Sequence, residues 1–328
     1  MASDELAPDA IRRTRPDDPT TIEASRRVRD IVGRGRIDVL QRRRDLPGIV
    51  YLIGHLAVLA ASGALVWQAH GSLWLVPAMF VHGTIIAHLF APFHECAHAT
   101  AFASRRLNAV VWWATGLALI LPLSAFRYEH ADHHTYTQNL ERDPQMIPIG
   151  ESLGGYLYYV TSIPYFVGVF RNLIGQPFGW LPPETARAVP PAARRQVVYE
   201  AHVFWAFYLA LATASVVLES WAVVLYWLGP RLIGEPLERI IRMAEHVGCA
   251  RSPNMLENTR TVFVAAPIRW LAWNMAYHTA HHAIPQVPFH ALPALTAALA
   301  GHLRETRRGY VDTVVTHLKN VSARRWPA

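Results

Sequence analysis

The sequence predicts an all-α integral membrane protein with four transmembrane helices, interfacial helices and a cytosolic cap that carries histidine boxes. Hydrophobic residues make up 52% of its 328 residues and charged residues only 17%. Charged residues are about a quarter of an ordinary globular chain. The apolar residues are gathered into long runs, and many of the histidines form short clusters beside those runs. Such a chain buries much of its surface in lipid.

Four apolar runs are the predicted transmembrane helices. Ile49–Trp67 and Leu73–Phe93 carry no charge and approach the roughly 20 residues that a helix needs to cross a bilayer. Val197–Leu218 is a third run of that length, and Ser220–Ile233 is a shorter fourth. A short turn joins the members of each pair, so each pair is expected to leave and re-enter the same side.

The distribution of arginine predicts the orientation. Eleven arginines precede the first apolar run, whereas the turns inside the two pairs contain no lysine or arginine. The positive-inside rule therefore places the N-terminus, and after two returning pairs the C-terminus, in the cytosol. We predict a cytosolic basic segment over 1–45, a membrane domain over 46–300 and a cytosolic basic tail over 301–328.

The net charge of +7 also bears on partners. Its arginines cluster beside apolar runs, which favours a membrane surface over nucleic acid as the partner. The chain has two cysteines, Cys96 and Cys249, so no disulfide framework is predicted.

Eight of the 17 histidines lie in three clusters: "HECAH" (94–98), "HADHH" (130–134) and "HTAHH" (278–282). Spacings of three and four residues place side chains on one helix face, as metal binding through several ligands requires. Packing alone would leave many of these ring nitrogens unpaired. The predicted ligands are His94, His98, His130, His133, His134, His278, His281 and His282.

"HECAH" alone also matches the HExxH pattern of zinc proteases, in which the glutamate is the general base. A protease site has no use for two later boxes, so a two-metal centre is the better interpretation, with Glu95 orienting a histidine ring. Imidazole ligands by themselves leave zinc, copper, iron and nickel open. An intramembrane zinc protease and a metal transporter stay as alternatives from other classes.

The three boxes must lie on one side of the membrane if they form one site. The apolar run Leu107–Phe126 separates the first box from the second. A full crossing there would put the boxes on opposite faces. We therefore expect this run to lie in the interface or to re-enter.

The order of the boxes on a multi-span chain resembles the membrane fatty acid desaturase and hydroxylase family. "AEH" at Ala244–His246 and "NMAYHTAHHAIPQVP" from Asn274 are similar to stretches of sphingolipid desaturases. "HECAHATAF" and "DHHTYTQNLERDP" are similar to bacterial members. The resemblance covers about residues 45 to 300.

The resemblance implies an oxygen-dependent oxidoreductase that acts on a fatty acyl or lipid chain at a cytosolic, non-haem centre of two iron ions. Desaturation is the first expectation. Hydroxylation and terminal-alkene-forming decarboxylation of a fatty acid on the same core are alternatives. Electrons would come from an external ferredoxin or cytochrome-like donor, and an acidic donor would suit the arginine-rich face.

The family pattern also implies two further site residues, His246 and Asn274. Asn274 lies four residues before His278, so we expect it on the same helix face, where its amide could hold a metal-bound water. Glu95 and Asp132 stand next to ligands in the sequence and are expected to fix the tautomers of histidine rings from outside.

Overall fold

The structure is a computed structural model that describes residues 19–147, 149 and 152–322. The predicted N-terminal segment 1–45 is therefore described from residue 19, and the predicted tail 301–328 up to residue 322. The described residues form seventeen α-helices and one pair of short strands, in agreement with the predicted class except for those strands.

The helices, in chain order, are α1 (Pro19–Val32), α2 (Arg34–Leu40), α3 (Asp45–Gln68), α4 (Leu75–Ala87), α5 (Phe90–Ala97), α6 (Arg105–Leu119), α7 (Leu123–Tyr136), α8 (Leu153–Val160), α9 (Ile163–Gly175), α10 (Pro183–Ala188), α11 (Arg194–Val217), α12 (Gly229–His246), α13 (Met255–Asn258), α14 (Ala266–Leu271), α15 (His278–Ala283), α16 (Leu292–Leu299) and α17 (Tyr310–Ser322). Single 3₁₀ turns lie at Gln176–Phe178, Pro191–Ala193 and Phe289–Ala291, and a π-helical segment, Val224–Leu228, precedes α12.

Three helical segments are long and apolar enough to cross a membrane. They are α3, the α4–α5 segment Leu75–Ala97, and Pro191–Val217, with mean hydropathies of 2.1, 1.5 and 1.4. Three of the four predicted runs match these segments. The run Ser220–Ile233 is not among the candidate spans of the described residues; it forms the π-helical segment and the first turns of α12.

The apolar run Leu107–Phe126, which separates the first two histidine boxes, is sharply bent. It contains most of α6 and the start of α7, and the two helices meet at 97°. Ser104 begins α6 by accepting a hydrogen bond from the backbone N–H of Leu107 (3.3 Å). Ile120 ends it in the left-handed region (φ 57°), and Pro122 then precedes the first turn of α7. The bend agrees with the expectation that this run does not pass straight through, and the pair counts as a fourth span only if both helices form one broken crossing.

Helix α12 packs closely on α4 through two glycines. A Cβ atom at Gly83 would collide with the Pro230 carbonyl, and one at Gly234 would collide with the backbone of Gly83 and Thr84. Small residues allow helix backbones to approach in this way inside membranes. The contact aligns α12 along the α4–α5 span. At its C-terminal end, His246 lies beside His133 of the second box and His278 and His282 of the third.

The side of α12 that faces the protein also contains charged residues, which are paired within the helix. Glu235 forms ion pairs with Arg231 and Arg239, four residues before and after it, and Glu238 accepts from Arg242 (2.9 Å). Buried charges of this kind require such partners. These ion pairs allow α12 to bury charged residues, although the helix begins inside the apolar run Ser220–Ile233 that was predicted as the fourth span.

Two short strands form a parallel pair that the sequence analysis did not predict. Strand β1 (Thr261–Phe263) pairs with β2 (Thr306–Arg308), with Val262 opposite Arg307. Val262 also donates its N–H to Ala276 O (2.9 Å), which anchors the segment before the third histidine box. Three residues per strand are too few for a recognisable pattern of alternation.

We predict that Gly83→Ala strongly destabilises the fold, because the added methyl group overlaps backbone atoms that cannot rotate away. Overpacking of this kind costs about 1–3 kcal/mol or more. Gly63→Ala is the matched control, since its Cβ would lie 3.5 Å from the nearest atom of His82. Thermal unfolding in detergent should show a lower midpoint for the first variant alone; equal midpoints would show that the two helices are not in close contact.

Candidate metal centre

Nine buried histidines form two adjacent clusters. The five-histidine cluster contains His94, His98, His130, His134 and His281, and the four-histidine cluster contains His133, His246, His278 and His282. Within each cluster the candidate ligand atoms lie within 4.8 Å of one another. The His134 and His282 rings, one from each cluster, stack with centroids 4.1 Å apart. The structure thus brings together all eight box histidines and His246.

Helical geometry explains which histidines share a cluster. His94 and His98, His130 and His134, and His278 and His282 are four residues apart, and each pair stays within one cluster. Neighbours in sequence point about 100° apart on a helix. The adjacent pairs therefore divide, with His133 and His134 in different clusters and His281 and His282 likewise.

The ring nitrogens of these clusters fit metal ions. Nε2 atoms face one another at 3.0 Å (His130–His134) and at 3.1 Å (His134–His281, His246–His278 and His278–His282). A neutral imidazole has only one N–H, so His134 and His278, each with two such contacts, cannot satisfy all of them as hydrogen bonds. Both ring nitrogens of His94 are buried without a hydrogen-bond partner in the described residues. Two nitrogens about 2.1 Å from one ion at right angles lie about 3.0 Å apart, as the contacts here do.

Oxygen atoms behind the rings set the tautomers. His133 Nδ1 lies 2.9 Å from Asp143 Oδ1, and His130 Nδ1 lies 2.9 Å from Gln145 Oε1. A proton on Nδ1 in each case leaves the Nε2 lone pair free for a metal ion.

Two further oxygen atoms lie beside outer ring nitrogens of the four-histidine cluster. His246 Nδ1 lies 3.2 Å from the Asn258 carbonyl, and His282 Nδ1 lies 3.2 Å from Thr137 Oγ1. A carbonyl oxygen can only accept, so His246 carries its proton on Nδ1.

Burial favours the neutral form of several of these imidazoles, which is the form that binds a metal ion. For His278, His281 and His282, burial and then the charge of neighbouring imidazoles hold the pKa well below its usual value. Burial, followed by repulsion from His133, lowers the pKa of His246 to about 3. Burial raises the pKa of Asp143, but His133 and the backbone N–H groups of Gln138 and Gln145 outweigh that effect and keep it lowered. His246, His278, His281 and His282 are thus neutral nitrogen donors, and an ionised carboxylate lies beside the four-histidine cluster.

Asp143 and Gln145 are site residues that sequence reasoning missed. Both lie in the loop after α7, beyond the second box, and only Asp143 falls inside the quoted stretch "DHHTYTQNLERDP". The sequence offers no spacing rule for them, because the loop turns back through Gln138, whose N–H donates to Asp143 Oδ2 (3.0 Å).

Among the described residues, Glu95 makes no hydrogen bond to a histidine ring, contrary to the expectation. Its Oε2 accepts from Thr100 Oγ1 (2.7 Å) and from the backbone N–H of Phe289 (3.2 Å). The side chain therefore ties the first box to the segment after the third box. The general-base role that a zinc protease would require is not supported by this geometry.

The shared helix face expected for Asn274 and His278 is wrong. Trp273 and Asn274 adopt left-handed conformations (φ 48° and 60°), which end the helical path before α15 begins at His278. The Asn274 amide donates to Phe289 O (3.1 Å). Asp132 is half-buried on α7 and forms no hydrogen bond or ion pair within the described ranges. A catalytic role for either residue stays a prediction.

Comparisons with known proteins show which family this chain matches. A family model described as "Fatty acid desaturase" matches residues 82–314, which include all nine histidines. A fatty acid desaturase of Bacillus subtilis is 24% identical over 265 residues, covering 74% of this chain and 71% of that protein.

Two further relatives are similar over shorter stretches. A sphingolipid delta(4)-desaturase/C4-monooxygenase of Mus musculus is 27% identical over 228 residues, which are 67% of this chain and 64% of that protein. An sn-1 acyl-lipid omega-3 desaturase (ferredoxin) of Synechocystis sp. is 25% identical over 138 residues, 38% of each chain.

We predict that Glu95→Gln leaves the fold and the metal content nearly unchanged, because the Gln carbonyl can still accept from Thr100 and Phe289. Glu95→Ala leaves both donors without an acceptor and should lower the free energy of unfolding by about 1–3 kcal/mol. Chemical unfolding of both variants in detergent checks this. A Gln variant that is fully folded but inactive would instead indicate an acid–base role.

Proposed function

The chain belongs to the fatty acid desaturase family and is an oxidoreductase of the membrane, and we propose that it uses two iron ions and molecular oxygen to desaturate a fatty acyl or lipid chain. The observation that carries this proposal is the division of nine buried imidazoles into sets of five and four. Each set is large enough to hold one ion, and their adjacent rings would place the two ions side by side.

An iron pair would supply the oxygen chemistry needed to break an unactivated C–H bond, which no side chain can break by acid–base catalysis. The protein contributes a buried set of imidazole nitrogens, and Asp143, Gln145 and Asn258 fix the tautomers of three of the rings. Removal of two hydrogen atoms from the substrate while O₂ becomes two waters requires two further electrons and two protons. An external electron donor is therefore part of the proposal.

Hydroxylation is the second candidate outcome. The mouse relative carries both desaturase and C4-monooxygenase in its name, which supports hydroxylation as an alternative outcome here. Terminal-alkene-forming decarboxylation is a third outcome. Identification of the product by mass spectrometry, after incubation with a lipid extract, distinguishes the three.

We further propose four spans with both termini and the histidine clusters on the cytosolic side. The π-helical segment before α12 lies against α4, because His82 Nε2 contacts Tyr226 O at 3.0 Å. This contact supports a fourth crossing by Ser220–Ile233 beside the α4–α5 span. The bend between α6 and α7 supports a common side for the first two boxes.

The donor would dock where the surface approaches both clusters. One cleft of about 100 Å³ is lined by His134 and Arg251, and another of about 90 Å³ by His133, His246 and the same Arg251. Arg251 is exposed, and exposed Arg142 packs its guanidinium on Tyr136 at the rim of the first cleft, 3.6 Å from the ring centre. Exposed Glu141 is a nearby opposing charge. These arginines favour an acidic donor, such as a ferredoxin or a cytochrome-like protein.

We predict about two irons per chain in purified protein, measured by plasma mass spectrometry. His281→Ala and His282→Ala alter adjacent residues of different clusters, so each should remove about one iron and abolish product. His302→Ala, at an exposed histidine, is the control and should retain both. One zinc per chain, or iron content unaffected by both variants, would contradict the proposal and favour a protease.

We predict that Arg251→Glu lowers kcat/KM for a reduced [2Fe–2S] ferredoxin roughly tenfold at low salt, because it reverses a charge that steers association. The difference from wild type should shrink as salt rises. Arg308→Glu, at an exposed arginine that lines neither cleft, is the control.

Single-turnover product formation after chemical reduction should be the same in all three proteins. A raised KM for the lipid substrate with an unchanged ferredoxin KM would assign Arg251 to the substrate instead.

A further inference from the structure

Carboxylate oxygens lie near the Nδ1 atoms of two of the four rings in the four-histidine cluster. Asp143 Oδ1 is hydrogen-bonded to His133 Nδ1 at 2.9 Å, and Glu245 Oε1 lies 3.6 Å from His278 Nδ1. The remaining two rings face a carbonyl and a hydroxyl oxygen. Every ring in this cluster therefore has an oxygen atom on the side away from the proposed ion.

The five-histidine cluster has a different environment. In the part of the chain that the structure describes, its one hydrogen bond from a ring nitrogen to a residue outside the cluster joins His130 to the neutral amide of Gln145. Among the described residues, no carboxylate oxygen lies within 4.0 Å of a ring nitrogen in this cluster. Arg242 lies between the two clusters: it is over the face of Phe90, 4.3 Å from the ring centre, where Phe90 stacks on His94, and it is also ion-paired with Glu245 (3.0 Å).

Asp143 makes the larger contribution to this difference. It is buried and accepts from the backbone N–H groups of Gln138 (3.0 Å) and Gln145 (2.9 Å), which stabilise its charged form. Glu245 is paired with Arg242 (3.0 Å), so part of its charge is offset. A carboxylate bonded to the outer nitrogen of a ligating imidazole makes that ring a stronger donor and opposes the charge of the ion through a poorly polarisable interior.

We infer that Asp143, assisted by Glu245, makes the two metal positions unequal, so that the ion in the four-histidine cluster is the more easily oxidised of the pair. This inference rests on the proposed di-iron function. It assigns Asp143 a positioning and charge-tuning role on one side of the site only, and it identifies Gln145 as the corresponding neutral partner on the other side.

The test uses the full-length protein loaded with ⁵⁷Fe(II) and half an equivalent of ferricyanide per iron pair. Each ferricyanide takes one electron and converts one ferrous ion to ferric. Mössbauer spectra then give the ferric fraction in each cluster, and the single-iron variants His281→Ala and His282→Ala assign the two sets of signals.

In the wild type, the ferric signal should favour the four-histidine cluster by about tenfold or more, the size of effect that outer partners of metal ligands produce. Asp143→Asn should reduce that preference about tenfold. Gln145→Glu keeps an acceptor for His130 and adds a carboxylate beside the five-histidine cluster. It should therefore reduce or reverse the preference while it preserves the hydrogen bonds of the loop.

Asn139→Asp is the matched control on the same loop. Asn139 is exposed, and its side-chain oxygen accepts from the N–H groups of Glu141 and Arg142, which aspartate can also do. It adds the same charge in solvent and should leave the ferric distribution as in the wild type.

Equal oxidation of both positions in the wild type, or preferential oxidation of the five-histidine position, would overturn the inference. So would an unchanged distribution in Gln145→Glu, even if Asp143→Asn does not fold. A wild-type protein that holds no second iron gives no second set of signals, and that result refutes the proposed function itself.

Discussion

The burial of nine imidazoles side by side is the constraint on which the rest of the structure depends. Their Nε2 atoms approach within 3.0–3.1 Å in four contacts, although neutral rings have too few protons to make all of these hydrogen bonds. Positive ions at the centre of each cluster would turn this crowding of lone pairs into attraction. The fold supplies the surroundings: helices that end at the clusters, oxygens that hold the outer ring nitrogens, and a bend that keeps the boxes together.

Several features away from the clusters serve the same end. The glycine contact between α4 and α12 lets α12 run along α4 and end at His246, beside the second and third boxes. Glu95 joins that box to Phe289, beyond the third box, and the loop after α7 turns back to bring Asp143 and Gln145 behind two rings. Buried ion pairs along α12 allow a charged helix to occupy this position, since each carboxylate has an arginine one turn away.

The sequence predicted the helical class, three of the apolar spans and the eight box histidines, because apolar runs and closely spaced histidines are local patterns. His246 followed only from the resemblance to the desaturase family. The sequence did not predict the division into five and four, which depends on how three separate helices meet. The predicted helix face shared by Asn274 and His278 is wrong, because two residues in the left-handed conformation interrupt the helix that the spacing alone implied. Sequence reasoning misplaced Glu95 and missed Gln145, because their partners lie 194 and 15 residues away along the chain. Such long-range contacts leave no periodic trace in the sequence.

The most direct test of the central claim is an anomalous difference map from crystals of the purified protein, recorded above and below the iron absorption edge. The account predicts two iron peaks, one inside each histidine cluster, with nitrogen ligands from all nine side chains. A single peak, a zinc signal in their place, or peaks remote from His246 and the third box would contradict it.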